Sequence, residues 1–267
     1  MGRIKDTFSE LERQNKKALI SYIVSGDPDL SSTLNAMHLM VIEGVNIIEL
    51  GIAFSDPMAE GPSIQRGHER ALSNQTSLQD TLELVENFRK KDKKTPVVLM
   101  GYMNPFESMG SEVFSSKASE SGVDGVLIVD MPLEESCEFG EQTRIHGIDV
   151  IRLVAPTTSE FRIKKICSEA SGYVYYISLK GVTGANSINV KEARRKVAIL
   201  RNLTELPIVI GFGIKDGSTV SSVRGLADGI VVGSALVDIM GGNKEKIEKE
   251  LSIKIKDLSK ALNETLE

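Results

Sequence analysis

The stretch PIVIGFGIKDGSTVSSVRGLADGIVVGSA (207–235) contains two short apolar runs, PIVIGF (207–212) and GIVVGS (229–234), and each meets a glycine turn at its end. Both runs show little alternation of apolar and polar residues, which is typical of strands buried on both faces of a parallel sheet. Six similar runs precede them: ALISYI (18–23), NIIEL (46–50), PVVLM (96–100), GVLIVD (125–130), DVIRLV (149–154) and GYVYYIS (172–178). The sequence therefore predicts eight strands.

Segments with helical spacing separate these strands. One of them places Leu78, Leu82, Val85 and Phe88 on a single face, as expected of a helix that covers a sheet. Eight strands that alternate with helices over about 250 residues match a (β/α)8 barrel, with a doubly wound open sheet as the competing architecture. The count of eight, and glycine turns after the late strands rather than after the first, favour the barrel. We expect an α/β chain that forms one TIM-barrel domain over residues 1–267.

Two amphipathic segments lie outside the eight repeating units. An N-terminal helix is indicated by Ile4, Phe8 and Leu11. A C-terminal helix is indicated by the spacing of Ile247, Leu251, Ile255, Leu258 and Leu262. We therefore expect one extra helix at each end of the barrel chain.

The composition excludes several classes of protein. Lys plus Arg number 32 and Asp plus Glu number 37, so the 267-residue chain carries a formal net charge of −5, which disfavours nucleic-acid and membrane-surface binding. Its two cysteines, Cys137 and Cys167, cannot form a disulfide framework, and its three histidines lack metal-ligand spacing. No apolar run approaches the ~20 residues of a membrane span, and the N-terminus has no apolar stretch of signal-peptide length. We expect a cytoplasmic protein without a metal site.

A carboxylate lies inside the second apolar run. Burial of a charged group costs free energy unless the group is paired or has a functional role. Glu49 lies in IIELG (47–51), at the carboxyl end of the strand, which is the catalytic end of a barrel. Burial would raise its pKa, which suits a group that gives and takes a proton; the alternative is a structural carboxylate. Asp130 ends strand four in the same manner, whereas Asp56 and Glu60 lie on the long loop after strand two, where carboxylates are usually solvated.

Glycine turns follow the last three predicted strands. They are Gly181-Val182-Thr183-Gly184, Gly211-Phe212-Gly213 and Gly233-Ser234-Ala235. Glycine lets backbone N–H groups approach an anion closely, and a helix beginning at Ala235 would add favourable partial charge. Because loops after late barrel strands often hold a phosphate, the three turns together predict a phosphate-monoester ligand. The alternative is that they relieve crowding at the corners of the barrel.

Several longer motifs point to one family. They are YIVSGDPD (22–29), IIELGIAFSDPMAEGPSIQ (47–65), VVLMGYMNP (97–105), GVDGVLIVDMP (122–132), LVAPTT (153–158), SGYVYYISLKGVTGA (171–185), PIVIGFGI (207–214) and ADGIVVGSALV (227–237). In these segments, which occur in order from about residue 4 to residue 262, the chain resembles the tryptophan synthase alpha chain family. The resemblance implies a (β/α)8 barrel that cleaves indole-3-glycerol phosphate into indole and glyceraldehyde 3-phosphate, with no metal or organic cofactor on this chain.

The resemblance also implies roles for individual residues. Glu49 would be the general acid and base, and Glu60 would hold the indole N–H and stabilise the positive charge that develops on the protonated ring. Thr183 and Asp130 would help to close the site over substrate. Phosphate would be bound by Gly184, Gly213, Gly233 and Ser234. The indole pocket would be lined by Tyr22, Met100, Leu127, Tyr175 and Phe212.

The same resemblance implies a partner. The expected assembly is an alpha2-beta2 heterotetramer with the tryptophan synthase beta chain, to which indole passes. The face toward that chain would include Asp56, Pro57, Asn104 and Pro105.

The chain departs from the family pattern at five positions near the expected site. Two departures are mild, since Tyr22 stands where a phenylalanine is usual and Met100 where a leucine is usual, and both keep an apolar wall of similar size. The other three matter more. Ala53 replaces a proline, Glu60 replaces an aspartate, and His68 stands where an asparagine is common. The extra methylene of Glu60 moves the carboxylate by at most about 1.5 Å, and catalytic geometry can lose ~100-fold for a ~1 Å misplacement. One alternative is therefore a weakly catalytic or non-catalytic activator of the beta chain. Another is a different phosphosugar barrel enzyme, such as an isomerase or an aldolase that forms a Schiff base on Lys180.

Overall fold

The computed structural model describes residues 2–177, 190–211 and 213–263. Within those ranges nine strands form one sheet in which every pairing is parallel. The strands are β1 (Ala18–Val24), β2 (Ile47–Gly51), β3 (Val97–Gly101), β4 (Gly125–Ile128), β5 (Asp149–Val150), β6 (Arg152–Val154), β7 (Val174–Ile177), β8 (Ile208–Gly211) and β9 (Gly229–Val232).

The sheet closes into a barrel through a strand that is divided in two. Its order is β5-β4-β3-β2-β1-β9-β8-β7-β6, and β5 and β6 at its two ends are separated in sequence only by Ile151. The Ile151 N–H still donates to the Val126 carbonyl at 2.9 Å. The expected eight-stranded barrel is therefore confirmed and the open sheet is excluded. The expected strand at 149–154 is interrupted because it turns from pairing with β4 to pairing with β7.

Helices lie between the strands, as the apolar spacing predicts. In the described part of the chain they are α1 (Arg3–Arg13), α2 (Leu30–Ile42), α3 (Pro62–Ser73), α4 (Leu78–Arg89), α5 (Met103–Met109), α6 (Ser111–Ser121), α7 (Cys137–Ile145), α8 (Glu160–Glu169), α9 (Val190–Arg201), α10 (Gly217–Val223), α11 (Ser234–Met240) and α12 (Ile247–Asn263). Single 3-10 turns occur at Leu133–Glu135 and Lys244–Lys246. None of these helices is long and apolar enough to cross a membrane.

Two apolar clusters build the core. The larger one fills the layer between the outer face of the sheet and the helices, and it includes Phe88 of α4 and Leu258 of α12. The smaller one fills the interior of the barrel. At the amino-terminal ends of the strands, α1 contributes Phe8, whose ring lies 5.9 Å from that of Tyr173. The predicted N-terminal helix therefore closes one mouth of the barrel, and the other mouth is left for the site.

A buried ion pair joins α3 to the loop after β1. Arg70 donates from Nε and Nη2 to the two carboxylate oxygens of Asp27, at 2.6 and 2.8 Å. Asp27 is fully buried and follows β1 by three residues. Because α3 begins two residues after Glu60, this bidentate pair helps to fix the helix at the end of the long loop after β2.

Candidate active site

Glu49 lies on β2 with its side chain in the barrel interior. Parallel register places it beside Tyr22 of β1 and Val98 of β3, and both of these neighbours belong to the interior cluster. The glutamate is fully buried. Its Oε1 accepts a hydrogen bond from the Tyr173 hydroxyl at 2.6 Å, whereas its Oε2 has no hydrogen-bond partner among the described residues. One carboxyl oxygen is thus anchored and the other is left to meet a ligand.

The environment of Glu49 favours its protonated form. Burial raises the pKa of Glu49 to about 8, and the Glu60 carboxylate adds to this rise through repulsion between like charges. The hydrogen bond from Tyr173 acts in the opposite direction because it stabilises the ionised group. A carboxyl group with a pKa near neutrality can both donate and accept a proton, as the sequence indicated for this position.

Glu60 is buried although it lies on a loop. Only 8% of the residue is exposed, and this burial raises the pKa of Glu60 to about 7. Its N–H donates to the Pro57 carbonyl at 3.0 Å, and its carbonyl accepts from the Gln65 side-chain amide at 3.0 Å. The usual solvated state of a loop carboxylate therefore does not apply here. Because the charge of Glu60 raises the pKa of Glu49, the protonation of the two glutamates is linked.

Two glycines make room for the tyrosines of the pocket. A Cβ atom at Gly51 would lie 2.3 Å from the hydroxyl oxygen of Tyr22, and one at Gly211 would lie 1.9 Å from that of Tyr175. Real Cβ atoms do not approach so closely, so each hydroxyl group lies across a neighbouring strand only because that strand carries glycine there. Strand alternation separates Tyr175, in the interior cluster, from Tyr176, in the outer one.

The barrel interior brings together all four of the expected indole-pocket residues that the structure describes. Tyr22, Leu127 and Tyr175 are buried in the interior cluster, and the half-buried Met100 packs against it. Asp130 lies apart from them. It follows β4 by two residues, is exposed, and accepts the Met103 N–H at 2.7 Å at the start of α5. The expected strand at 125–130 therefore ends earlier, at Ile128.

Part of the expected phosphate site is described. Gly213 has a φ of 77°, which favours glycine. Gly233 lies beside Tyr22, since a Cβ there would be 3.3 Å from the tyrosine ring. Ser234 is the first residue of α11, one position earlier than expected, and the first N–H groups of a helix have no intrahelical acceptor. The other expected residues, Thr183, Gly184 and Phe212, lie outside the described residues together with Lys180.

The expected partner face consists of two neighbouring segments. Asp56 and Asn104 are exposed, and Pro57 and Pro105 are half-buried. Met58, which the sequence did not single out, is an apolar residue with 84% of its surface exposed. Both segments therefore offer accessible surface beside the mouth of the barrel.

Tyr173 is a functional candidate that sequence reasoning did not identify. It has the same strand parity as Tyr175, and that alternation was the signal that could have found it. No group of three His, Cys, Asp or Glu residues that could hold a metal ion occurs within residues 2–177, 190–211 and 213–263.

Comparison with known proteins identifies close relatives. A family model for the tryptophan synthase alpha chain matches residues 8–265. The tryptophan synthase alpha chain of Dechloromonas aromatica is 51% identical over 238 residues, covering 89% of each chain, and that of Hydrogenovibrio crunogenus is 47% identical and covers 98% of each. Among solved structures, tryptophan synthase subunit alpha from Legionella pneumophila matches with a TM-score of 0.91 and 38% identity, over 98% of this chain and 99% of that one. The tryptophan synthase complex from Pyrococcus furiosus matches with a TM-score of 0.82 and 39% identity, over 91% of this chain and 98% of that one.

Proposed function

Because the chain belongs to the tryptophan synthase alpha chain family, we propose that Glu49 and Glu60 divide the chemistry of that family between them. The chain is a carbon–carbon lyase of tryptophan biosynthesis, which cleaves indole-3-glycerol phosphate into indole and glyceraldehyde 3-phosphate. The observation that carries the assignment of roles is the buried carboxyl group of Glu49. Its Oε1 is held by Tyr173, its Oε2 has no hydrogen-bond partner in the described part of the chain, and its pKa is raised to about 8.

The reaction requires that indole be made into a leaving group. Protonated Glu49 gives its proton to the ring carbon that carries the glycerol side chain, which places positive charge on the ring and its nitrogen. The Glu60 carboxylate accepts the indole N–H and stabilises that charge. These steps need one protonated and one ionised carboxyl group. Burial raises the pKa of Glu49, to about 8, further than that of Glu60, to about 7, so Glu60 is the carboxyl group that ionises first as the pH rises.

Bond cleavage then restores the acid. The Glu49 carboxylate takes the proton of the glycerol hydroxyl next to the ring, and the electron pair of that O–H bond becomes the carbonyl bond of glyceraldehyde 3-phosphate. The carbon–carbon bond breaks, and its electron pair returns to the ring and neutralises the nitrogen of indole. Glu49 is protonated at the end as at the start. The Tyr173 hydroxyl holds Oε1 in place throughout, so the same carboxyl group remains aligned with the ring carbon and the hydroxyl.

The remaining assignments concern binding. We assign the indole ring to the pocket lined by Tyr22, Met100, Leu127, Tyr175 and Phe212. The phosphate is assigned to the backbone of Gly184, Gly213, Gly233 and Ser234, because glycine turns and helix N-termini present N–H groups to anions. Thr183 and Asp130 are assigned to closure of the loop after β7 over the substrate, which excludes water from the carboxyl pair.

The chain acts with the tryptophan synthase beta chain. We propose that Asp56, Pro57, Asn104 and Pro105 meet that partner, since they lie beside the mouth of the barrel from which indole leaves. We further propose the alpha2-beta2 stoichiometry, a cytoplasmic location, and a single lyase domain over residues 1–267.

The variant Glu49→Gln tests the assignment of the proton-exchanging group. The amide can still accept from Tyr173 but cannot exchange a proton, so we expect indole release to fall at least ~100-fold. A matched control is Glu86→Gln, which changes an exposed residue of α4 and should leave the rate unchanged. Retention of most of the cleavage rate by Glu49→Gln would remove Glu49 from the mechanism. A chain that raises beta-chain turnover yet cleaves nothing would favour the activator alternative.

A further inference from the structure

His68 is a buried side chain that the mechanism above does not use. It lies on α3 and is 2% exposed. Its Nε2 is 3.3 Å from the Tyr22 hydroxyl oxygen, and its Nδ1 is 3.1 Å from the backbone nitrogen of Phe54. The imidazole thus bridges β1, α3 and the first part of the loop between β2 and α3 (residues 52–61), here called the Glu60 loop.

These contacts assign the tautomer of the ring. A backbone N–H can only donate, so Nδ1 of His68 accepts from Phe54 and carries no hydrogen. Burial lowers the pKa of His68 to about 4, which keeps the ring neutral at neutral pH. The single ring hydrogen is therefore on Nε2, and Nε2–H donates to the Tyr22 hydroxyl. Because Tyr22 accepts this bond, its own hydroxyl hydrogen is directed away from His68.

A chain of contacts connects Phe54 to Glu60. The Phe54 ring stacks on that of Tyr102, with centroids 5.2 Å apart and planes inclined by 23°. The Tyr102 hydroxyl accepts the backbone N–H of Ala59 at 3.0 Å, and Ala59 precedes Glu60. The Phe54 backbone that His68 holds is thus connected, through the ring and the hydroxyl of Tyr102, to the residue that precedes Glu60.

We propose that His68 is a positioning residue for the known reaction: its Nδ1 fixes the start of the Glu60 loop through Phe54, and its Nε2–H orients the Tyr22 hydroxyl in the substrate pocket. This inference rests on the proposed function, because the group that His68 positions is the Glu60 carboxylate. His68 acts at a distance from the reacting atoms, through the Phe54–Tyr102–Ala59 contacts and through Tyr22. It therefore affects the placement of catalytic groups rather than the proton transfers themselves.

Two conservative variants separate the two contacts, because the amides of Asn and Gln overlay different nitrogens of the imidazole ring. His68→Asn keeps an acceptor near the position of Nδ1 and retains the bond from Phe54. His68→Gln places its amide near Nε2, retaining the contact with Tyr22 and losing that with Phe54. We expect kcat for indole release to fall about tenfold or more in His68→Gln, since misplacement by ~1 Å can cost ~100-fold. We expect His68→Asn to recover most of that loss.

The proposal predicts a pattern that a merely structural role would not produce. In His68→Gln, kcat should fall more than KM rises, because Glu60 stabilises charge that develops after binding. The thermal midpoint and the folded fraction should stay close to wild type. The matched control is His146→Asn, which changes the histidine that directly follows α7 at the opposite end of the barrel and should alter neither constant.

Hydrogen exchange at the Phe54 amide measures the contact with His68 independently of whether the chain cleaves its substrate. The Phe54 N–H should exchange slowly in wild type and in His68→Asn, and faster in His68→Gln, whatever the cleavage rate. A folded His68→Gln with wild-type kcat and slow exchange would overturn the proposal, as would a loss of kcat that only follows the folded fraction. Absence of cleavage in wild type, together with the expected exchange pattern, would instead refute the proposed function and retain His68 as the residue that fixes the loop.

Discussion

Glu49 is a carboxyl group placed where its ionisation is costly, so its protonation is coupled to the stability of the fold. Its pKa rises from an ordinary value of 4.5 to about 8 in the folded chain. Between these two values the folded state binds more protons than the unfolded state. The stabilisation from protonated Glu49 is therefore fully present below pH ~4.5 and is lost as the pH rises through about 8.

Glu49→Gln cannot ionise, so its free energy of unfolding relative to wild type should increase from pH 5 to pH 9, by on the order of a few kcal/mol. Urea denaturation of both proteins at the two pH values measures this difference. Glu86→Gln, on the exposed face of α4, should show no such change. A difference between Glu49→Gln and wild type that is the same at both pH values would show that Glu49 is not held protonated in the fold.

Among the elements of the barrel, the Glu60 loop carries two of the departures from the pattern that the sequence resemblance implies, Ala53 at its start and Glu60 near its end. The longer side chain of Glu60 is buried, and the loop has no proline at Ala53 to restrict its backbone. We expect Glu60→Asp to release indole at least as fast as wild type, because it restores the usual length of the carboxylate side chain. Steady-state kcat and KM for indole-3-glycerol phosphate, measured for Glu60→Asp and wild type, give this comparison of rates. A loss of tenfold or more would show that the loop has adapted to glutamate.

The elements of the barrel were predictable because parallel strands are buried on both faces and appear as continuous apolar runs. Glu49 was predictable for the same reason, as a charge inside such a run. The interruption of the strand at Ile151 could not be predicted, because a strand that changes its pairing partner remains as apolar as one that does not. The burial of Glu60 was not predictable either, since it depends on contacts such as that between Ala59 and Tyr102, which are distant in sequence.

In the whole molecule, the two ends of the barrel have different functions. The helix α1 closes the amino-terminal mouth of the barrel. Its Phe8 ring packs against the ring of Tyr173, and the hydroxyl of the same tyrosine holds Glu49. The carboxyl-terminal mouth carries the Glu60 loop and the exposed segments around Asp56 and Asn104. A partner seated on these segments contacts the loop that holds Glu60, which gives a physical route by which the beta chain can affect cleavage.

Indole release from indole-3-glycerol phosphate, measured with and without a tryptophan synthase beta chain, shows whether this chain is a working lyase coupled to its partner. We predict weak cleavage by the chain alone and a large increase with the beta chain, because a partner on the segments around Asp56 and Asn104 contacts the loop that carries Glu60. We also predict that neither condition yields indole with Glu49→Gln. Confirmed substrate binding with no indole from wild type in either condition would rule out the lyase and favour a non-catalytic activator.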